Sequence, residues 1–392
     1  MFHPLDEQGA HEPDNGIITA VSSQRHAWRA VAELAARLHH PALGGVVFFC
    51  SAEYDLEALG QALSESFAKV PICGCTTAGE ITPSGYGRGC IVAIGFDCRV
   101  FSVVPALVDD LVGFDLPRAQ QLVDSLLANC RPKAVAPLNE NSFVMTLLDG
   151  LSSREEQVLA TLDAALGRIP SFGGSAGDDN HLTHTHVFAE GAFHTQAAVM
   201  LMINTRLPFD VFSTHHLAPR TEKFVVTAAD REQRRVRELN GVPAATLYAQ
   251  WVGVAVEDLM PALFARYPLA VRLGDHYFVR SIQRANQDGS LSFYCAVENG
   301  IVLSAMRPLP LLADLENMLD EIKARVGPPA LMIGCDCFLR RMELEALGQL
   351  ESASALLRAS QVVGFNTYGE QHHGMHVNQT FTGVAFGTLS AG

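Results

Sequence analysis

Three times along the chain a short apolar run ends in small or polar residues and gives way to a stretch of helical periodicity. The runs are "GGVVFFCS" at 44–51, "SFVMTLLDG" at 142–150 and "ALMIGCDC" at 330–337. The helical stretches behind them read "LEALGQALSESFAK", "REEQVLATLDAALG" and "ELEALGQLESASALLRA". A second short strand follows and enters a glycine–acid turn: "VPICGCTTAGE", "IPSFGGSAGDD" and "QVVGFNTYGE". Each unit closes on another apolar run, at 90–96, 197–203 and 381–387. Apolar runs of this length without alternation suit strands covered on both faces. The pattern predicts an α/β protein, with repeated strand–helix–strand units forming mixed sheets flanked by helices. Ser152 and Glu155 in "SSRE" have the spacing of a capping box at the start of the middle helix.

Residues 205–320 depart from this unit. "VRELNGVPAATLYAQWVG" reads as a short strand, an Asn-Gly turn and a helix opening at Pro243. "YPLAVRLGDHYFVRSIQ", "GSLSFYCAV" and "GIVLSA" follow as antiparallel strands separated by "NQDG" and "ENG" turns. A boundary near 205–222 gives an N-terminal extension at 1–28, a first domain at 29–212 and a second at 213–392. Gly79, Gly177 and Gly369 each precede an acid. One such turn is simply tight; three in the same frame predict turns that converge on a single cleft. There Glu80, Asp178 and Glu370 either accept hydrogen bonds from turn N–H groups or hold a polar ligand.

Composition narrows the function more than the fold. Of 392 residues, 48% are hydrophobic and 18% charged, enough for well-buried cores. A formal charge of −14 repels phosphate backbones, which argues against nucleic-acid binding. The basic run "REQRRVRE" at 231–238 is interleaved with acids and reads as a solvated segment. No signal-peptide-like stretch and no membrane-length apolar run occurs, so the expected location is the cytoplasm, away from the membrane. Nine cysteines, an odd number in strand-like contexts, read as thiols. The Cys73/Cys75 and Cys335/Cys337 pairs lack the CxxC spacing of structural zinc. No G-x-S-x-G elbow, Walker loop or HExxH occurs, so no enzyme is expected.

"GCTTAGEI", "FGGSAGDD", "ELNGVPAATLY" and "GFNTYGE…NQT" together resemble the FIST proteins, an N-terminal and a C-terminal FIST domain in tandem, over residues 30–388. "THTHVF" and the Cys337/Arg340 pair are similar to further landmarks of that family. The resemblance implies a ligand-sensing module of bacterial signal transduction. One departure is informative: the C-terminal motif here is "YGEQHHGMHVNQT", with His376 two residues before Asn378. That variant resembles NosP, the haem-binding nitric-oxide sensors of the family. It implies non-covalent haem b, nitric oxide as the gas ligand, and a partner histidine kinase or cyclic-di-GMP enzyme, and it leaves room for a homodimer. The alternative is a FIST module binding a small organic ligand such as an amino acid, without haem, through Glu80, Asp178 and Glu370.

Haem needs an apolar slot and an axial donor, most often a neutral imidazole. No CxxCH occurs for covalent attachment. Strand alternation puts His376, Asn378 and Thr380 on one face, so His376 is the expected iron ligand, pointing into a cleft at the sheet end. His372, His373 and Met375 in the adjoining loop are further candidate ligands, and Glu370 and Asn378 candidate contacts. His215 and His216 stand at the interdomain junction, where ligand sites commonly form. His181, His184 and His186 follow the hairpin pattern and read as surface residues.

Overall fold

The computed structural model describes residues 15–179 and 181–388. Of the expected N-terminal extension, residues 1–14 lie outside the described residues, while Ile17–Ser22 is an edge strand and Ala27–Leu38 a helix. That helix buries Ala27, Ala30, Val31, Leu34 and Leu38, one apolar stripe laid on a sheet. Among the described residues no helix is long and apolar enough to cross a membrane.

Three six-stranded sheets repeat one plan. The first runs Ile17–Ser22, Ile91–Asp97, Leu43–Ser51, Ile72–Thr77, Val187–Ala189, Ala192–His194. The second runs Phe101–Val108, Ala198–Thr205, Ser142–Leu148, Ser171–Ser175, Glu370–His372, Met375–Val377. The third runs Phe209–Thr214, Phe381–Phe386, Leu331–Cys337, Val362–Thr367, Glu80–Thr82, Gly85–Gly87. In each, the two parallel central strands are the pair expected from the repeat, and the closing apolar run pairs antiparallel beside them.

The last two strands of every sheet come from another unit. The first unit's hairpin (80–87) joins the third sheet, the third unit's hairpin (370–377) joins the second, and the second unit's hairpin (187–194) joins the first. The exchange is a closed ring of three. Gly74, Gly173 and Gly364 hold equivalent places in the second parallel strand of each unit. A Cβ there would meet a carbonyl oxygen of the neighbouring strand at 2.2, 1.9 and 1.8 Å respectively.

The inner faces of the three sheets share one core. Phe49 of the first sheet stacks on Phe365 of the third at 4.5 Å, and Phe386 of the third meets Phe101 and Phe143 of the second at 5.4 and 5.8 Å. Helices cover the outer faces through separate apolar clusters.

Between Phe209–Thr214 and the helix Leu311–Val326 lies the antiparallel insert expected from the alternating strands. Its Asn240 and Gly241 both have positive φ, 52° and 76°, as the Asn-Gly hairpin turn requires. The two strands at opposite ends of its order, His276–Arg280 and Ile282–Ala285, are separated only by Ser281. The sheet therefore curls, wrapping a core that contains Tyr248, Phe264 and Leu303.

Candidate functional site

The three glycine–acid turns do converge, but on a closed hub. Backbone bonds tie each turn to the next: Ala78 N–H donates to Asn366 O (2.9 Å), Gly177 N–H to Thr76 O (3.0 Å), Ser175 N–H to Gly369 O (2.8 Å). Glu80 accepts from Thr77 Oγ1 at 2.6 Å and from Cys90 N–H at 3.3 Å. Glu370 repeats the pattern, accepting from the Thr367 hydroxyl and from Thr380 N–H at 3.1 Å. Asp178 accepts from three successive N–H groups, of Leu182, Thr183 and His184, and from the Tyr368 hydroxyl. All three acids are buried. Each acts as a clamp on its own loop, the first of the two roles expected for it. Burial pushes the Glu370 carboxyl up to about 8, so it is held neutral below that pH.

An open cavity of about 470 Å³ lies beside this hub, within the size range of small-molecule sites. One wall is the end of the third sheet's edge strand, Ser213, Thr214 and His215; the second is His276, Tyr277 and Phe278 of the insert. The third is the exchanged hairpin, through His372, Met375 and Val377, with Thr380 behind it. Three histidines and a thioether thus border a space whose other walls are the hydroxyls of Ser213, Thr214 and Thr380 and the apolar side chains of Tyr277, Phe278 and Val377. Burial pushes His372 down to about 4, leaving a neutral ring at physiological pH. His372 Nε2 is buried with no hydrogen-bond partner. His215 is also pushed down by burial, and its Nδ1 accepts from Leu217 N–H at 3.3 Å. The cavity can offer imidazole and sulfur donors to a metal centre carried by a largely apolar ligand.

Other expected residues fall elsewhere. His376 is not on the cavity wall: in the short strand Met375–Val377, alternation sends Met375 and Val377 to the cavity and His376 to the opposite side. The expected common face of His376, Asn378 and Thr380 does not form, because the strand stops at Val377 and Gln379 takes a positive φ of 52°, which brings Thr380 to the cavity while His376 stays off it. His373 is exposed at the hairpin tip with φ 45°. His216 is buried with both ring nitrogens engaged, Nε2 to Glu343 at 2.9 Å and Nδ1 accepting from Arg340 at 3.0 Å. Asn378 Oδ1 accepts from Ser281 N–H at 3.3 Å, and its Nδ2 donates to Tyr368 O at 3.4 Å. The Cys73/Cys75 and Cys335/Cys337 thiols are buried and raised by burial, as small core side chains.

On its own side His376 meets a buried charged cluster that periodicity did not expose. Its Nδ1 lies 3.1 Å from Glu156 Oε1 and its Nε2 3.7 Å from Glu155 Oε1. Arg234 bridges the two glutamates at 2.7 and 3.0 Å. The expected capping box is therefore absent: the helix Glu155–Leu166 has no side-chain cap, and Glu155 turns inward to Ser175 and Arg234. Electrostatics decide this, since the acid gains a guanidinium in the interior rather than an N–H at the surface. His276, Tyr277, Phe278, Arg234 and Cys295 were also missed, because nothing in their strands separates a cavity wall from ordinary alternation.

The family models of the FIST N domain and the FIST C domain match residues 45–242 and 244–373 respectively. No curated protein matches the chain. The ordered glycine–acid turns and the two matched domains lead to one assignment: the chain belongs to the FIST family and is a sensory module of signal transduction.

Proposed function

We propose that this chain is a haem-based nitric-oxide sensor acting on a partner histidine kinase or cyclic-di-GMP enzyme, with haem b held non-covalently in the cavity and His372 as iron ligand. The observation that carries the reading is the neutral imidazole of His372 on a cavity wall that His215 and Met375 share. Haem would supply the gas-binding iron and a visible chromophore. Tyr277, Phe278 and Val377 exclude water from the apolar faces, and His215 and Met375 stand as second donors. His372 lies on the hairpin that the third unit lends to the second sheet, so a shift of its ring is carried into both. The chain's role is to sense and transmit, with no catalytic step of its own.

The test is reconstitution with haem, read by absorption with and without nitric oxide under reducing conditions. One Soret band per chain is expected, shifted by nitric oxide, and His372→Ala should lose haem or change its ligation spectrum while His376→Ala largely retains it. No stoichiometric band overturns the reading.

A second reading, a small organic ligand such as an amino acid without haem, has its own support. A polar cleft of about 240 Å³ is lined by Glu232, Arg234 and Arg284, and Arg234 Nε is buried there without a partner. Glu80, Asp178 and Glu370 are occupied in the hub, so a carboxylate would go to this cleft instead. Thermal shifts against an amino-acid panel, abolished by Arg284→Ala, would favour it.

A further inference from the structure

We infer that Glu156, Cys295 and His376 form a site for a divalent transition-metal ion of borderline softness, with zinc the best match, separate from the cavity of the proposed sensor site. One donor atom from each lies within 4.8 Å of the others. Donors around a tetrahedral zinc at about 2.0–2.3 Å stand roughly 3.3–3.8 Å apart, so closure needs side-chain rotation of about an ångström. The three come from different parts of the fold: the start of the helix Glu155–Leu166, the insert, and the exchanged hairpin.

The His376 side chain is only 1% exposed, and its Nδ1 lies 3.1 Å from Glu156 Oε1, so that nitrogen is the one placed to share an ion with the carboxylate. Its Nε2 faces the other way, toward Glu155 Oε1 at 3.7 Å, an oxygen that already accepts from the Ser175 hydroxyl. A sulfur, imidazole and carboxylate set suits zinc and its neighbours rather than magnesium or calcium.

Glu155 and Glu156 face the Arg234 guanidinium, and the buried Arg280 guanidinium, which donates to His376 O at 3.1 Å, stands near Cys295 as well. A divalent ion that binds the Cys295 thiolate adds one net positive charge and releases one proton to solvent. Without an ion the Cys295 thiol donates to Asn378 Oδ1 at 2.7 Å. On binding, that oxygen keeps the Ser281 N–H. The carboxylate is already held in place, since Glu156 Oε1 accepts from Ala296 N–H at 2.7 Å. Arg234 and Tyr294, beside the cluster, also line the polar cleft.

The experiment is cobalt titration of the chelator-treated, haem-free full chain, followed by zinc competition. One equivalent should bind, giving a thiolate-to-cobalt charge-transfer band and the visible bands of a tetrahedral ion, both removed by zinc. Cys295→Ser should abolish the charge-transfer band, and Glu156→Gln should weaken binding by roughly 10–100-fold or more. Cys98→Ser, which removes the exposed thiol, and His372→Ala should leave the titration unchanged. No stoichiometric thiolate band in the native chain overturns the site whatever the variants do. So does a band that survives Cys295→Ser or disappears with Cys98→Ser. Because the readout needs no haem and tolerates His372→Ala, failure here is distinct from failure of the sensor reading.

Discussion

Glu370 and Glu80 occupy the same place in two of the three units and do the same work: one oxygen takes the hydroxyl three residues back, the other the N–H ten residues on. Both carboxyls are pushed up by burial, Glu370 to about 8. In an unfolded chain glutamate titrates near ~4.3. Folding therefore holds a proton that the unfolded chain has lost between about pH 4.3 and 8, and stability falls as pH rises through that window. Glu370→Gln mimics the neutral acid, its amide able to donate to Thr367 while its carbonyl accepts from Thr380. Denaturant unfolding at pH 5.5 and 8.5 should show the variant gaining on the native chain, by a few kcal/mol at the higher pH. A difference between the two proteins that stays constant with pH would exclude a titrating Glu370. These acids were visible in the sequence as "GE" and "GD", and their role as turn acceptors followed from the glycine before them. The buried partners of His376 were not visible. Glu155 and Glu156 look like an ordinary acidic first turn, and Arg234 and Cys295 are far away in sequence.

At the scale of elements, the strands and helices of the repeat were legible because they are long apolar runs and 3.6-period stretches. The exchanged hairpins were not. Their strands are only three residues long, and nothing in a three-residue strand names the sheet it joins. What does show in the sequence is the glycine at each crossover, and each is required for a different reason. A Cβ on Gly177 would lie 2.4 Å from Ala78 N, one on Gly79 2.2 Å from an Arg341 nitrogen, and one on Gly369 1.8 Å from His376 Nε2. Gly79 alone of the three has positive φ, 132°. Gly369→Ala must push a buried imidazole into the Glu155–Glu156 cluster, since both sides of the ring are filled. It should cost about 1–3 kcal/mol, the usual range for overpacking a core, with a matching fall in the unfolding midpoint. Zinc binding measured on the same variant should weaken as well, because the displaced ring is a proposed ligand. A stable Gly369→Ala chain with unchanged metal affinity would mean that His376 has somewhere else to go.

At the scale of the whole molecule, the ring of exchanged hairpins makes the two matched domains interdependent. A cut near residue 207 follows the chain's own repeat, between the strands Ala198–Thr205 and Phe209–Thr214. It would still strip the second sheet of Glu370–His372 and Met375–Val377, and the third of Glu80–Thr82 and Gly85–Gly87. Each half would expose an unpaired strand beside an open core, since Phe49, Phe143, Phe365 and Phe386 share one apolar cluster drawn from all three sheets. The residues that line the cavity all lie after the cut, but the cluster around His376 is divided, with Glu155 and Glu156 before it and Arg234, Cys295 and His376 after it. Residues 1–207 and 208–392 expressed separately should therefore be aggregation-prone, with weak near-ultraviolet circular dichroism, whereas co-expression should recover a soluble complex. The intact chain should unfold in one calorimetric transition spanning both domains, although chains of this size often unfold domain by domain. Two well-separated transitions, or a fragment that folds cooperatively alone, would show that the exchange joins two units without making either depend on the other.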